Sequence, residues 1–458
     1  MIGIDRTPAA ISRVSKSRLH LREIFFRKCK QRIMLDIKWI REYPEELKRA
    51  LEKRGVAFDV GSFLKLDEER RNTIKEVDDL RARQNVLSDE IARAEAGERM
   101  EKLKEAKELK ARLKAAEATR EKSEQEFSGE LHKIPNIPLP EVPEGKSEAH
   151  NKVVHEAGEK PQFGFVPKDH VQIGEALGIL DFDRAAKTSG SGFSHLKNEG
   201  ALLELALARY ALDFLRQKGF TLWLTPDLAL RRFYLGTGYH PRGPEAQIYE
   251  VVESELGLIA TAEVTLAGLH ADEILEEKSL PLRYAGYSHC FRQEAGAYGK
   301  YSRGLYRLHQ FTKVEMFAYT RPEDSPRVHE EFLKFEKELW QGLGIPYRVV
   351  EMCAGDLGAQ AARKFDLEAW MPGRGDWGEV TSTSNTTDYQ ARNLNIRYRP
   401  SSKFQVPSSP FVHTLNGTAI ATSRAIIAIL ENYQQEDGSA RIPEVLQPYM
   451  GGLKEIRR

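Results

Sequence analysis

The chain has only three cysteines, Cys29, Cys290 and Cys353, in 458 residues. They are odd in number and far apart, which excludes a disulfide framework and the paired spacing of a structural zinc site. A reducing compartment suits thiols used so sparingly. No apolar run approaches the roughly 18 residues that a membrane-spanning helix needs, so no membrane partner is expected. An excess of one charge is also missing. The formal net charge of +1 gives no global pull toward nucleic acid, and any RNA contact must come from local patches. No G-x-x-x-x-G-K-[ST] occurs, so a P-loop cradle for phosphate is excluded. A chain that handles a nucleotide without one needs fixed cations, and arginine supplies a planar charge with paired donors.

What is present divides into zones. The length suggests about two or three domains, and 41% hydrophobic with 30% charged residues suits a folded protein with one unusually charged part. Residues 1–33 form a basic extension, with nine Lys or Arg from Arg6 to Arg32 against Asp5 and Glu23. It reads as an organelle transit peptide, as sequence upstream of a true start at Met34, or as an RNA-binding tail. Residues 34–145 read as a helical domain. Within it, a proline-free stretch over about 67–131 places Val77, Leu80, Gln84, Leu87, Ile91 and Ala94 at alternating steps of three and four, the seam of a coiled coil. Gly97 offers a turn. Leu103, Ala106, Leu109, Leu113, Ala116 and Phe127 then supply a returning seam. Helices of about 30 residues make an antiparallel arm roughly 45 Å long. Composition leaves this arm open as a solvated spacer, a dimerisation rod or an RNA-binding element. Four prolines in Ile134–Pro143 stop the helix and make a stiff linker. In residues 146–458, helices at 200–216 and 326–342 mix irregularly with short strand-like runs at 221–224, 250–252, 256–259, 313–317 and 347–350. That pattern predicts an α+β domain on a mostly antiparallel sheet.

Two segments of this second domain share a charge logic. Cys290-Phe291-Arg292-Gln293-Glu294-Ala295-Gly296 and Leu415-Asn416-Gly417-Thr418-Ala419-Ile420-Ala421-Thr422-Ser423-Arg424 each set an arginine among small or apolar residues. If the two arginines converge, they can grip a nucleoside triphosphate from both ends. Alone, Arg292-x-Glu294 also reads as a surface ion pair, Glu315 as a solvent-facing strand residue, and 381–385 as a polar turn. Arg424, opening a helix, needs an anion to offset the macrodipole.

The first of these segments resembles the second signature of class II aminoacyl-tRNA synthetases, and Gly417 through Arg424 resembles the third. Gly219-Phe220-Thr221-Leu222-Trp223-Leu224-Thr225-Pro226 is similar to the first signature. With Thr261-Ala262-Glu263-Val264, 309–316, Glu379-Val380-Thr381-Ser382-Thr383-Ser384-Asn385 and the two-helix arm, the joint pattern resembles seryl-tRNA synthetase over about 34–458.

The resemblance implies an antiparallel-sheet class II catalytic domain preceded by an all-α domain with a long coiled-coil hairpin. It implies a serine–tRNA ligase that uses ATP as a substrate with Mg²⁺, forms a homodimer through the first signature, and binds tRNA(Ser), with tRNA(Sec) as a further acceptor, through the arm. By the same resemblance Arg292 and Arg424 are catalytic. Thr261, Ala262, Glu263, Arg292, Glu315, Asn416 and Thr418 bind L-serine, with Glu315 the leading carboxylate for the substrate ammonium. Arg292, Gln293, Glu294, Leu308, Glu379, Val380, Thr381, Ser382 and Arg424 bind ATP. Glu379 and Ser382 offer Mg²⁺ the oxygen ligands it prefers. No zinc is expected, and the compartment is cytoplasmic, or an organelle if residues 1–33 are a transit peptide. His240 falls in a loop that resembles the mobile lid of the family, and His195, His289 and His309 are structural.

The chain departs from the family pattern at Gly192 and Asn393, where arginine is usual, at Ala260 in place of proline, and at Thr383 and Thr386, where cysteine is frequent. Two rival readings are a paralogue that loads a carrier protein and a non-catalytic RNA-binding homologue. The arm argues against the first; the retained Arg292, Glu294, Glu315 and Arg424 argue against the second.

Overall fold

The computed structural model describes residues 35–239, 248–294, 304–401 and 409–458. The basic extension 1–33 with Met34, His240, and Ala295-Gly296 of the second signature lie outside the described residues.

The arm is built from α1 (Val60–Arg93) and α2 (Ala96–Leu131). The Asp59 carboxylate caps α1 by accepting from the Ser62 amide at 3.0 Å, which satisfies an otherwise orphaned donor. Val77, Leu80 and Leu87 pack against Leu109, Leu113 and Ala116. At 34 and 36 residues the helices exceed the expected length, and the arm is roughly 50 Å long. Three details of the predicted seam differ. The chain reverses at Ala94 and Glu95, both extended, so Gly97 lies inside α2 and makes no turn. Leu103 is exposed, because the seam frays near the tip. Phe127 leaves the seam and stacks on Phe63 with ring centroids 5.2 Å apart, joining a separate core at the arm's base. The proline linker after α2 packs onto the second domain: the amides of Asn136 and Leu139 donate to the carbonyls of Ala359 and Ala362.

The eight-stranded sheet of the second domain comprises β1 (Lys152–Ala157), β2 (Thr221–Leu224), β3 (Leu282–Phe291), β4 (Gln310–Thr320), β5 (Tyr347–Glu351), β6 (Arg363–Met371), β7 (Asp376–Asn385) and β8 (His413–Ala421). Their order is β1-β5-β6-β7-β8-β4-β3-β2. All pairs are antiparallel except β2 with β3. Helices α3 (Glu199–Gln217), α4 (Glu263–Gly268), α5 (Ser325–Gly342), α6 (Tyr389–Leu394) and α7 (Thr422–Asn432) flank it.

Strand alternation separates core from site. On β4, Val314, Met316 and Ala318 enter the main core with Leu207 of α3, Phe332 of α5 and Ile426 of α7. Phe317 and Tyr319 face the other way and pack with Leu266 of α4 and Ala391 of α6. Lys313 and Glu315 continue that second face and line a cavity. The predicted helices are observed within one residue at each end, and the run at 250–252 shrinks to the bridge Tyr249–Glu250. Among the described residues no helix is long and apolar enough to cross a membrane.

Candidate active site

The two arginines converge. Arg292 at the end of β3 and Arg424 in the first turn of α7 line one cavity of about 430 Å³, within the size range of small-molecule sites. Glu294, Leu308, Glu379, Val380, Thr381 and Ser382 line it as well, as do Glu263, Glu315, Asn416 and Thr418. Three expected residues do not. Thr261 and Ala262 are fully buried; the Thr261 hydroxyl accepts from the Glu263 amide at 3.3 Å and so shapes the turn into α4. The Gln293 side chain turns away to donate to the Ile248 carbonyl at 2.7 Å.

At one end, Arg424 has its anion. Its guanidinium lies 3.3 Å from the Glu379 carboxylate and donates to the Glu379 carbonyl at 3.0 Å, which offsets its place at a helix start. The Tyr306 ring lies 4.7 Å beneath it. Desolvation in the cavity works against ionisation of Glu379, but Arg424, Lys364 and Arg292 outweigh it and hold that carboxyl at about 2. Glu379 is therefore an anion at neutral pH. Arg292 lies over Phe311 at 5.2 Å, and Arg307 donates to Glu294 at 3.0 Å.

At the other end are two buried carboxyls of different character. Glu315 is paired internally with Lys313 and accepts from the Thr418 hydroxyl at 3.4 Å. Glu263 receives neutral donors: Gln390 at 2.7 Å, Asn416 at 2.9 Å and Tyr239 at 3.0 Å. Burial, and then Glu315, push Glu263 up to about 7. The sequence favoured Glu315 for a substrate ammonium. In the structure Glu315 already has a counter-ion in Lys313, whereas Glu263 meets neutral donors. Beneath the floor, Glu336 of α5 is fully buried and accepts from the Thr381 hydroxyl at 3.0 Å; burial keeps it well above the usual carboxylate range.

Sequence reasoning missed Lys313, Lys364, Tyr239 and Gln390. Lys313 had a signal, since it precedes Glu315 by two residues and shares its strand face. Gln390 and Tyr239 had none, because they arrive from distant elements. The departures have local reasons. A side chain at Gly192 (φ +79°) would place its Cβ 2.4 Å from the His309 ring, which stacks on Phe193. The Thr383 and Thr386 hydroxyls donate to the carbonyls of Asn416 and Thr414 at 2.9 and 2.7 Å. Asn393 reaches the carbonyls of Leu235 and Gly236, and Ala260 is fully buried.

An antiparallel sheet with one arginine just past the end of a strand, β3, and a second in the first turn of the helix that follows another strand, β8, both facing a single cavity, is the catalytic core of the class II aminoacyl-tRNA synthetases. Residues 249–433 match the tRNA synthetase class II core domain (G, H, P, S and T), and residues 34–138 match the seryl-tRNA synthetase N-terminal domain. The chain is 56% identical to the serine–tRNA ligase of Rubrobacter xylanophilus across 91% of this chain and 98% of that one. It is 53% identical to that of Dictyoglomus turgidum across 93% and 99%. The seryl-tRNA synthetase of Pyrococcus horikoshii, solved in complex with ATP, superposes with a TM-score of 0.80 at 45% identity, covering 92% of this chain and 99% of that one. The cytoplasmic serine–tRNA ligase of Naegleria fowleri, in complex with AMP, gives 0.77 at 34%, covering 92% and 98%. The chain belongs to the seryl-tRNA synthetase family, and is thus an aminoacyl-tRNA ligase.

Proposed function

We propose that the cavity activates serine with ATP and then passes the seryl group to the 3′ end of tRNA(Ser), with tRNA(Sec) as a further acceptor. The observation that carries this reading is that Arg292 and Arg424 line one cavity together with Glu263 and Glu315. In the first step a serine carboxylate oxygen bonds to the α-phosphorus, the bond from that phosphorus to the β-phosphate breaks, and the electron pair leaves on pyrophosphate. No side chain attacks covalently. The work is positioning and charge stabilisation. Arg292 bridges the carboxylate and the α-phosphate, Arg424 holds the far phosphates, and Glu294 with Leu308 takes the adenine end.

Glu263 receives the substrate ammonium, with Thr261 and Ala262 shaping its turn from behind. Glu315 and Thr418 meet the hydroxyl, and Asn416 steadies Glu263. A site whose polar groups go unpaired without that hydroxyl rejects alanine strongly. An ionised carboxylate beside a hydroxyl fits a hard cation that also takes phosphate oxygens and water. Glu379 and Ser382 would hold Mg²⁺, which when bound supplies charge neutralisation for the polyphosphate.

Residues 34–145 serve as the tRNA-binding part and 146–458 as the catalytic part. Backbone and shape contacts by the arm suit A-form RNA, whose sequence is hard to read from outside. Strand β2 is an edge of the sheet and exposes Leu222, Trp223 and Leu224, which supports a homodimer formed there. The working compartment is cytoplasmic. Pyrophosphate exchange measured with each standard amino acid tests the reading: serine alone should support rapid exchange, and exchange with another amino acid, or with none, overturns it. Comparing tRNA with a carrier protein as acceptor separates the rival paralogue.

A further inference from the structure

Strand β6 brings to the cavity a cation that neither the nucleotide nor the serine contacts above employ. Lys364 lines the cavity with Arg292, Arg424 and Glu379. In the β6–β7 ladder Lys364 lies opposite Ser384 and Asp366 opposite Ser382. Directly opposed residues share a face, so both project on the side that carries Ser382. The Lys364 Nζ is 3.0 Å from Asp366 Oδ1 and 3.1 Å from Oδ2. This ion pair, with its hydrogen bond to Oδ2, fixes a long side chain that would otherwise lose rotamer freedom on binding an anion.

The charge balance shows which way the ammonium is free to act. Burial works against charge on Lys364, but Asp366 and Glu379 outweigh it and raise its pKa. Burial, with a contribution from Glu379, lifts the Asp366 carboxyl above the usual range even against Lys364. Lys364 and Arg424 both act on Glu379, one from a strand and one from a helix, so the two cations share the wall assigned to the phosphates. A triphosphate carries more negative charge than two guanidinium groups offset, and that charge moves toward the leaving pyrophosphate as the reaction proceeds. A fixed cation placed there offsets that charge in the bound triphosphate and on the pyrophosphate alike.

We infer that Lys364, held by Asp366, is a third phosphate-binding cation of the adenylation step, contacting the polyphosphate chain of the nucleoside triphosphate alongside Arg424. This rests on the serine-activation reading. The test uses the full-length protein with Lys364→Met and Lys364→Arg. Serine-dependent ATP–pyrophosphate exchange is measured with ATP, pyrophosphate and serine varied separately, and transfer to tRNA is measured from preformed enzyme-bound seryl-adenylate. Lys364→Met should raise the KM for ATP and for pyrophosphate at least about tenfold, and Lys364→Arg by less than about threefold. The serine KM and transfer from the adenylate should stay within about threefold in both, which also shows that the variants fold. Unchanged ATP and pyrophosphate dependence overturns the inference. So does a loss shared equally with serine binding, which makes the lysine a support of the wall, or a loss confined to transfer, which assigns it to the RNA end. Wild-type protein that fails to exchange with serine sinks the reaction assignment itself; a normal wild type with an indifferent Lys364→Met sinks only this inference.

Discussion

Along the arm, Arg81 meets Glu117 at 2.7 Å and Arg83 meets Glu105 at 2.7 Å, with every side chain close to half exposed. In the cavity, Arg424 meets Glu379 at a longer 3.3 Å, and Lys313 pairs with Glu315 away from bulk water. Distance alone ranks Arg424 with Glu379 below both arm pairs. Water and salt screen the arm's charges, so its hairpin depends on the thin seam of Val77, Leu80 and Leu87 against Leu109 and Leu113. Lys313 and Glu315 sit where water cannot reorganise around them, so they are held by each other and by directed hydrogen bonds, while Glu379 keeps partial contact with water at the cavity wall. The arm uses charge for solubility and reach; the cavity uses it for chemistry.

Truncating the cavity's cations is the most severe way to probe that contrast. Arg292→Ala and Arg424→Ala should each lower serine-dependent pyrophosphate exchange by about a thousandfold or more, with arm helicity by circular dichroism unchanged. Exchange within tenfold of wild type would mean that water or a neighbour replaces the lost guanidinium. Next in size, Leu87→Asp puts a charge into the seam where the side chain is 1% exposed. Burying an unpaired charge costs several kcal/mol, so the outer arm should melt locally. Hydrogen exchange should quicken around 80–113, and tRNA aminoacylation should fall about a hundredfold in kcat/KM. Pyrophosphate exchange should stay within about twofold. A parallel fall in exchange would show that arm and cavity are not the separate devices described above.

A smaller effect is expected from pH. Glu263 is pushed up to about 7, and a substrate ammonium binds its ionised form. Lowering the pH from 8 to 6 passes through that value and protonates the carboxyl, so serine affinity should weaken. The serine KM should rise about tenfold across that window while the ATP KM changes little. Glu263→Gln should give a high serine KM that no longer depends on pH. A flat wild-type profile would place the ammonium elsewhere.

The arm was legible because its determinants are local. A three-and-four spacing and a proline-free run specify a hairpin without knowledge of the rest of the chain, and they fail at Phe127, drawn onto Phe63, at Leu103, exposed near the frayed tip, and at Gly97, bypassed because the reversal happens at Ala94 and Glu95. The sheet was legible in class but not in order, since bringing β8 between β7 and β4 depends on pairings far apart in sequence. Motifs located Arg292, Arg424 and Glu379, but could not show which neighbours face inward. Gln293 adjoins a cavity residue and points away. Lys364, far along the chain from the second signature, points in. The different surroundings of Glu263 and Glu315 were invisible for the same reason: they are set by Lys313, Gln390 and Tyr239, which come from a strand, a helix and a loop.

The smallest expected effect sharpens the comparison most. Arg81 of α1 and Glu117 of α2 form a short bridge between the two helices, and by geometry alone it ranks above the pair of Arg424 and Glu379. If solvent screening decides what a pair contributes, a double-mutant cycle with Arg81→Ala and Glu117→Ala, read by urea unfolding of the arm, should give a coupling of about 0.5 kcal/mol or less, falling further in 1 M salt. The two single variants also bear on the RNA. Removing Arg81 takes away a cation that can contact phosphate, whereas removing Glu117 leaves that cation free. Arg81→Ala should therefore weaken tRNA binding and flatten its salt dependence, and Glu117→Ala should leave binding equal or slightly tighter. Equal losses in both variants would mean that the bridge stiffens the arm, and the charges of the two regions would then differ less than their surroundings imply.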